Sequence, residues 1–337
     1  MKKIIIWLLL LLAITANITV YGSASPQEEN IAPQDSAVSV VGWFCKHDTV
    51  TYIIENRSWN LSDTDTVCSA MFAMKVRLNV TDSTANGYKM EYTILECPTD
   101  IETDSMSAKA VFQNIIAKVL GETITGKTTR FETDEFGRIT KYNNLGDIKK
   151  QAKSLSKEII KTLSQFPEIK ALKKAGVDIN KYTKNISTEQ MVDGYLEDLN
   201  MIFALHGTRI RLGESIEHQD ATDTTYESTT ITSASLNAED GTYSIVYDVA
   251  SFIPPAYIKS VVGRLVEAFS NDSITENFNQ NFDTQVNEDC INDDYLKLDY
   301  LPNGWPYSVV RQKSSLIGGK GKIKQTAIYL DFYSFAQ

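Results

Sequence analysis

The sequence predicts an α+β protein: a curved antiparallel sheet, an open half-barrel, packed against helices. Three observations predict it. Runs of alternating, β-branched and aromatic residues recur between turn signals such as Asn86-Gly87 and Glu239-Asp240-Gly241. Amphipathic stretches with a helical period interrupt them. Of all residues, 42% are hydrophobic, which is ample for a core and argues against disorder.

The chain opens on a basic Met1-Lys2-Lys3, an apolar run from Ile4 to Ile14, and small residues at Gly22-Ser23-Ala24. That is the pattern of a cleavable export signal over 1–24. A spanning helix needs about 20 apolar residues, and this run breaks at Thr15 and Asn17. The first cysteine is Cys45, so no lipid-acceptor cysteine stands at the expected cut. The expected location is periplasmic or secreted. Residues 25–38, polar with Pro26 and Pro33, read as a flexible spacer.

A first β-rich half is expected over 39–143. Thr49–Ile54 is rich in branched and aromatic residues, Met74–Val80 alternates, and Asn86-Gly87 turns the chain into Tyr88–Ile94. Ala108, Val111, Phe112, Ile115, Ile116, Val119 and Leu120 form one helical face over 105–120, closed by Gly121. A second hairpin, Thr128–Thr133 and Arg138–Tyr142, turns through Asp134–Gly137. A helical segment follows over 144–207, with Leu145, Ile148, Ala152, Leu155, Ile159 and Leu163 as one stripe. Pro167 interrupts it. Ser187 and Gln190 form a capping box for a second helix with Met191, Tyr195, Leu199, Ile202 and Phe203 as its stripe, closed by Gly207.

The second β-rich half, 208–337, repeats the order. Strands are expected at Thr229–Leu236 and Thr242–Val249. A helix opening at Pro254-Pro255 has Tyr257, Val261, Val262, Leu265, Val266 and Phe269 as its stripe. A polar loop is expected over Asn271–Asp289. Strands return at Tyr295–Tyr300, Trp305–Gln312 and Ile323–Phe332. Gly87 corresponds to Gly241 and Gly137 to Gly304, the correspondence of a duplicated unit.

Chemistry is marked by what is missing. There is no HExxH, GxSxG, Walker A or strand-following GxGxxG. No cofactor or metal is expected: the three histidines, His47, His206 and His218, are scattered, and no CxxC occurs. His206 ends a helix, where positive charge suits the dipole, and His218 falls in an acidic loop, Glu217–Asp220. The net charge of −10 repels phosphate backbones and disfavours nucleic acid as a partner. Cys45, Cys68, Cys97 and Cys290 permit two disulfides in an exported chain, most simply Cys45–Cys68 with Cys97–Cys290; buried reduced thiols are the alternative. Trp43, Trp59, Trp305, Tyr307 and Tyr333 lie near expected strand ends or turns. There, exposed aromatics stack on sugars or grip apolar ligands.

The hairpin–helix–hairpin order resembles the open half-barrels that carry lipids or lipoproteins across a bacterial periplasm. Phe131-Glu132-Thr133-Asp134-Glu135-Phe136-Gly137-Arg138-Ile139 is the most similar stretch. The long helical segment departs from that pattern. As a whole the chain is similar to uncharacterised secreted proteins of Bacteroides-type bacteria, and Asp35-Ser36-Ala37 resembles their O-glycosylation acceptor. These likenesses imply an exported envelope protein without catalysis that binds an apolar small molecule, a lipid or an exported protein on the concave face of its sheet. Two other classes stay open: a glycan- or peptidoglycan-acting hydrolase, which needs two facing carboxylates, and a structural or surface-interaction module.

Overall fold

A computed structural model describes residues 36–62, 65–97, 118–119, 121–163, 170, 188–222, 226–269, 272–286 and 288–335. The expected export signal and most of the helix expected over 105–120 lie outside them. The strands are β1 (Ala37–Ser39), β2 (Thr49–Leu61), β3 (Thr66–Thr84), β4 (Gly87–Glu96), β5 (Thr128–Thr133), β6 (Ile139–Tyr142), β7 (Arg209–Arg211), β8 (Gly213–Gln219), β9 (Glu227–Leu236), β10 (Tyr243–Ile253), β11 (Cys290–Tyr300), β12 (Pro306–Ile317) and β13 (Lys320–Ser334). The helices are α1 (Leu145–Leu163), α2 (Thr188–Ile202), α3 (Pro255–Phe269) and α4 (Asp272–Gln285).

Eleven strands form one antiparallel sheet in the order β6-β5-β4-β3-β2-β13-β12-β11-β10-β9-β8. Each half is a meander, and β13 joins them by pairing with β2. Both halves run along the sheet in the same sense. The Gly87 and Gly241 turns, and those of Gly137 and Gly304, all lie at one end, here the lower end, and all four glycines have positive φ. The edges β6 and β8 do not pair with each other, so the sheet stays open.

The sheet is curled, and its aromatic core shows how far. Phe131 on β5 and Tyr300 on β11 stand six places apart in the strand order. In a flat sheet that is about 29 Å. Yet the Phe203 ring lies 5.5 Å from that of Phe131 and 5.1 Å from His206, whose ring lies 5.9 Å from Tyr300. Apolar side chains converging on the 203–206 turn draw the distant strands around it. Inside the curl, α2 buries Val192, Leu196, Leu199 and Ile202 against Tyr52, Leu78, Tyr92, Ile245 and Val309. A smaller core at the upper end packs α3 and α4, through Val262, Val266, Phe278 and Phe282, onto Ile253 and Cys290.

The lower end is closed by residues 40–48, which run beneath the strands. Gly42 N donates to Phe136 O, Trp43 N to Asn303 O and His47 N to Val80 O. The Tyr88 hydroxyl donates to Gly42 O at 2.7 Å. Such close passage needs small residues: a Cβ on Gly304, at φ +83°, would stand 2.2 Å from Val41 O. Gly304→Ala should therefore cost more than about 2 kcal/mol, left-handed strain plus a backbone collision. Urea denaturation checks this against Gly146→Ala, whose added Cβ meets nothing.

Two expectations need correction. The segment over Asn271–Asp289 contains helix α4 rather than a loop. Phe278 and Phe282, about one turn apart on it, are buried, as is Val286 just past its end. The acidic loop around His218 is the edge strand β8, exposed along its length.

Candidate functional site

Strand alternation, carried across the register, maps the face that α2 covers. The highest fully apolar row is Met74, Ile54, Ile328, Val309, Leu298, Ile245 and Ala234. One step up, the same face carries Phe72, Asn56, Thr326, Arg311, Leu296, Tyr247 and Thr232. The next row is Ser58, Lys324, Lys313, Asp294, Val249 and Thr230. Above it stand Asn60, Lys322, Ser315, Asn292 and Ser251. The inner face thus changes from apolar to polar between two cores, because β2, β12 and β13 continue upward past α2.

This polar belt has its own order. Arg311 grips Asp294 with two hydrogen bonds, Nε to Oδ1 at 2.9 Å and Nη2 to Oδ2 at 2.7 Å. Thr326 donates to Asn56 Oδ1 at 2.7 Å. Lys313 and Lys324 pair directly across β12 and β13. Lys313 is half-buried and Lys324 exposed. Desolvation by the surrounding protein lowers both ammonium pKa values. The positive neighbours Arg311 and Lys313 lower them further, and Glu197 on α2 opposes. The half-buried Phe72, Leu296 and Tyr247 border the belt where it meets the core.

The opposite, outer face holds a carboxylate pair. Burial, then a hydrogen bond with Asp248, pushes the Asp293 carboxyl up to about 7. The two carboxyls stand within hydrogen-bond reach, closer than the roughly 5–10 Å spacing of either glycosidase geometry. Among the described residues no group of three or more His, Cys, Asp or Glu is placed to hold a metal ion.

The five aromatics singled out by sequence do not come together. Trp305 is 0% exposed and packs 4.2 Å from the Phe44 ring, deep in the core. Trp59 lies on the β2 face opposite Ser58 and Asn60, which puts it on the outer side. Trp43 is 68% exposed beneath the lower end, and Tyr307 and Tyr333 are exposed near the same end. His206 is not a charged helix end. It is buried against Phe44 and Phe203, and Nε2 donates to Gly304 O at 3.0 Å. Burial lowers its pKa to about 4.

The four cysteines form no disulfide, where the sequence permits two. Cys68 pairs opposite Trp59, ten positions along β2 from Thr49. At the rise of a strand that is about 33 Å. Cys45 is tied below Thr49 by hydrogen bonds with Asp48, far outside the roughly 7 Å that a disulfide spans. Cys97 follows β4 and Cys290 opens β11, with four strands between them. Burial pushes both of these thiols up to about 11.

No protein-family model matches the chain, and no curated protein matches it. Among solved structures, one of lipovitellin, concerned with its lipid–protein interactions, is similar at 10% identity and a TM-score of 0.39. The match covers 87% of this chain but 26% of lipovitellin, so the chain spans about a quarter of that protein. An outer membrane channel from Pseudomonas putida F1 is matched over 90% of this chain and 100% of its own, at 7% identity and a TM-score of 0.15. At such scores neither likeness bears on function. No helix among the described residues is long and apolar enough to cross a membrane.

Proposed function

We propose that the chain is an exported, non-catalytic binding protein that holds an apolar or amphiphilic ligand against the upper inner face of its curled sheet. One observation carries the reading. The lower core fills the inner face only up to the row of Ile54 and Val309, while β2, β12 and β13 extend above it with half-buried or exposed side chains. Phe72, Leu296 and Tyr247 offer apolar contact there, and Asn56, Ser58, Thr326, Lys313 and Lys324 offer polar contact on the same floor. A mixed floor inside a concave surface suits a ligand with both kinds of group. Export rests on the pattern of residues 1–24.

The test is native mass spectrometry of the protein purified from a cell envelope. The expected result is a population heavier than the bare chain by a discrete small mass, released on denaturation. A chain that is bare and also takes up no added amphiphile would overturn the reading. A second reading, contact with another exported protein, is favoured by Trp43, 68% exposed at the closed end. A protein-sized addition, abolished by Trp43→Ala, would establish that instead.

A further inference from the structure

Lys313 and Lys324 stand directly opposite one another on neighbouring strands, on the inner face. Like charges in that position repel. Among the described residues neither has a hydrogen bond or an ion pair, and the nearest inner-face carboxylate in their row, Asp294, is taken by Arg311. Glu197 acts on both across the curl without closing to ion-pair distance. A surface arranged for stability alone would set an acid across from a lysine, as Lys75 meets Asp331 at 2.8 Å elsewhere on this sheet. Here two ammonium groups are placed together in a concavity, beside the hydroxyls of Ser58 and Thr326. The apolar margin of Leu296 and Phe72 lies one row below.

We propose that Lys313 and Lys324 form an anion seat, which receives the phosphate headgroup of an amphiphile whose apolar part lies toward Phe72, Leu296 and Tyr247. This rests on the ligand reading above and adds its headgroup chemistry. An anion bridging the two ammonium groups relieves their repulsion and forms charge-assisted hydrogen bonds to both. Arg311, held flat by Asp294, contributes field rather than a free donor fork. The acidic chain as a whole, at −10, gains no general attraction for anions, so preference for one must come from such a local seat.

The test titrates the chain from residue 25 onward with three probes: dihexanoyl phosphatidylglycerol below its micelle concentration, the matching phosphatidylcholine, and inorganic phosphate. Isothermal calorimetry reads each. The anionic lipid should bind the natural protein at least about tenfold more tightly than the zwitterionic one. The double variant Lys313→Gln/Lys324→Gln should lose that preference. Lys313→Arg/Lys324→Arg should keep it, and each single glutamine variant should melt no lower than the natural protein, since it removes a repelled charge. Equal binding of the two lipids, unmoved by the double variant, would overturn the anion seat and leave the ligand reading standing. Binding of phosphate alone, lost in the double variant, would keep the seat and overturn its assignment to an amphiphile. Binding of none of the three would overturn the ligand reading itself.

Discussion

Trp305→Ala should destabilise the protein by about 3–5 kcal/mol, the range for emptying a large aromatic site in a core. The indole is fully buried. Its ring stands 4.2 Å from Phe44 and 6.3 Å from Phe203, so it is shared by the segment closing the lower end and the turn around which the sheet curls. Neither wall can collapse into the gap. Phe44 is held by the Ser83 hydroxyl on its carbonyl at 3.1 Å, and the turn before Trp305 by the close pass of Gly304 over Val41. Trp305→Phe should cost clearly less, because it keeps an aromatic ring there and removes an indole N–H with no partner among the described residues. Trp43→Ala, at a 68% exposed site, should change stability by less than about 0.5 kcal/mol. Urea unfolding of the three variants checks the order. An alanine at 305 as harmless as one at 43 would remove the aromatic plug as what holds the curl.

That contrast also shows what the sequence could disclose. Trp43 and Trp305 both look like turn-edge aromatics in one dimension. Their burial is decided by which segments cross beneath the sheet, and no local pattern records that. Strand positions were legible because their signals are local: Asn86-Gly87 and Glu239-Asp240-Gly241 each make a hairpin turn at positive φ. The α1 stripe was legible too, as buried Ile148, Ala152 and Leu155 show. Helix α4 was hidden because its polar residues far outnumber Phe278 and Phe282, and a sparse stripe resembles a loop. Pairing of β13 with β2 sets four strands between Cys97 and Cys290, a separation that spacing along the chain does not record.

The polar belt carried a signal that alternation alone could have exposed. Val309, Arg311, Lys313 and Ser315 share one face of β12, and Ile328, Thr326, Lys324 and Lys322 share one face of β13. Each series starts apolar and turns cationic on the same side. Read singly, each is an ordinary strand with a solvated end. Only the register, which sets Lys313 across from Lys324, makes them a pair.

Acidification should unfold the protein in part through His206. Its folded pKa is lowered to about 4, chiefly by desolvation, against an ordinary value of 6.5. Between those values the unfolded chain binds the proton and the folded one refuses it, so stability is full above pH 6.5 and falls as pH drops toward 4. About 2.5 pKa units at 1.36 kcal/mol each give a loss of about 3 kcal/mol. Two carboxyls act in the opposite sense. Asp198, pushed up to about 7 by burial and then by Glu197, and Asp293, also at about 7, are more protonated in the folded state. They remove stability as pH rises from the ordinary carboxylate range toward 7. The natural protein's net profile therefore mixes both directions, and a difference between variants separates them. His206→Gln keeps a donor for Gly304 O but cannot titrate. It should be less stable than the natural protein at pH 7, from lost packing against Phe44 and Phe203. Yet it should lose about 3 kcal/mol less than the natural protein between pH 6.5 and 4, so the two urea-midpoint curves converge as pH falls. Parallel curves would mean that His206 binds its proton equally in both states, and the neutral, buried imidazole at the centre of the curl would have to be abandoned.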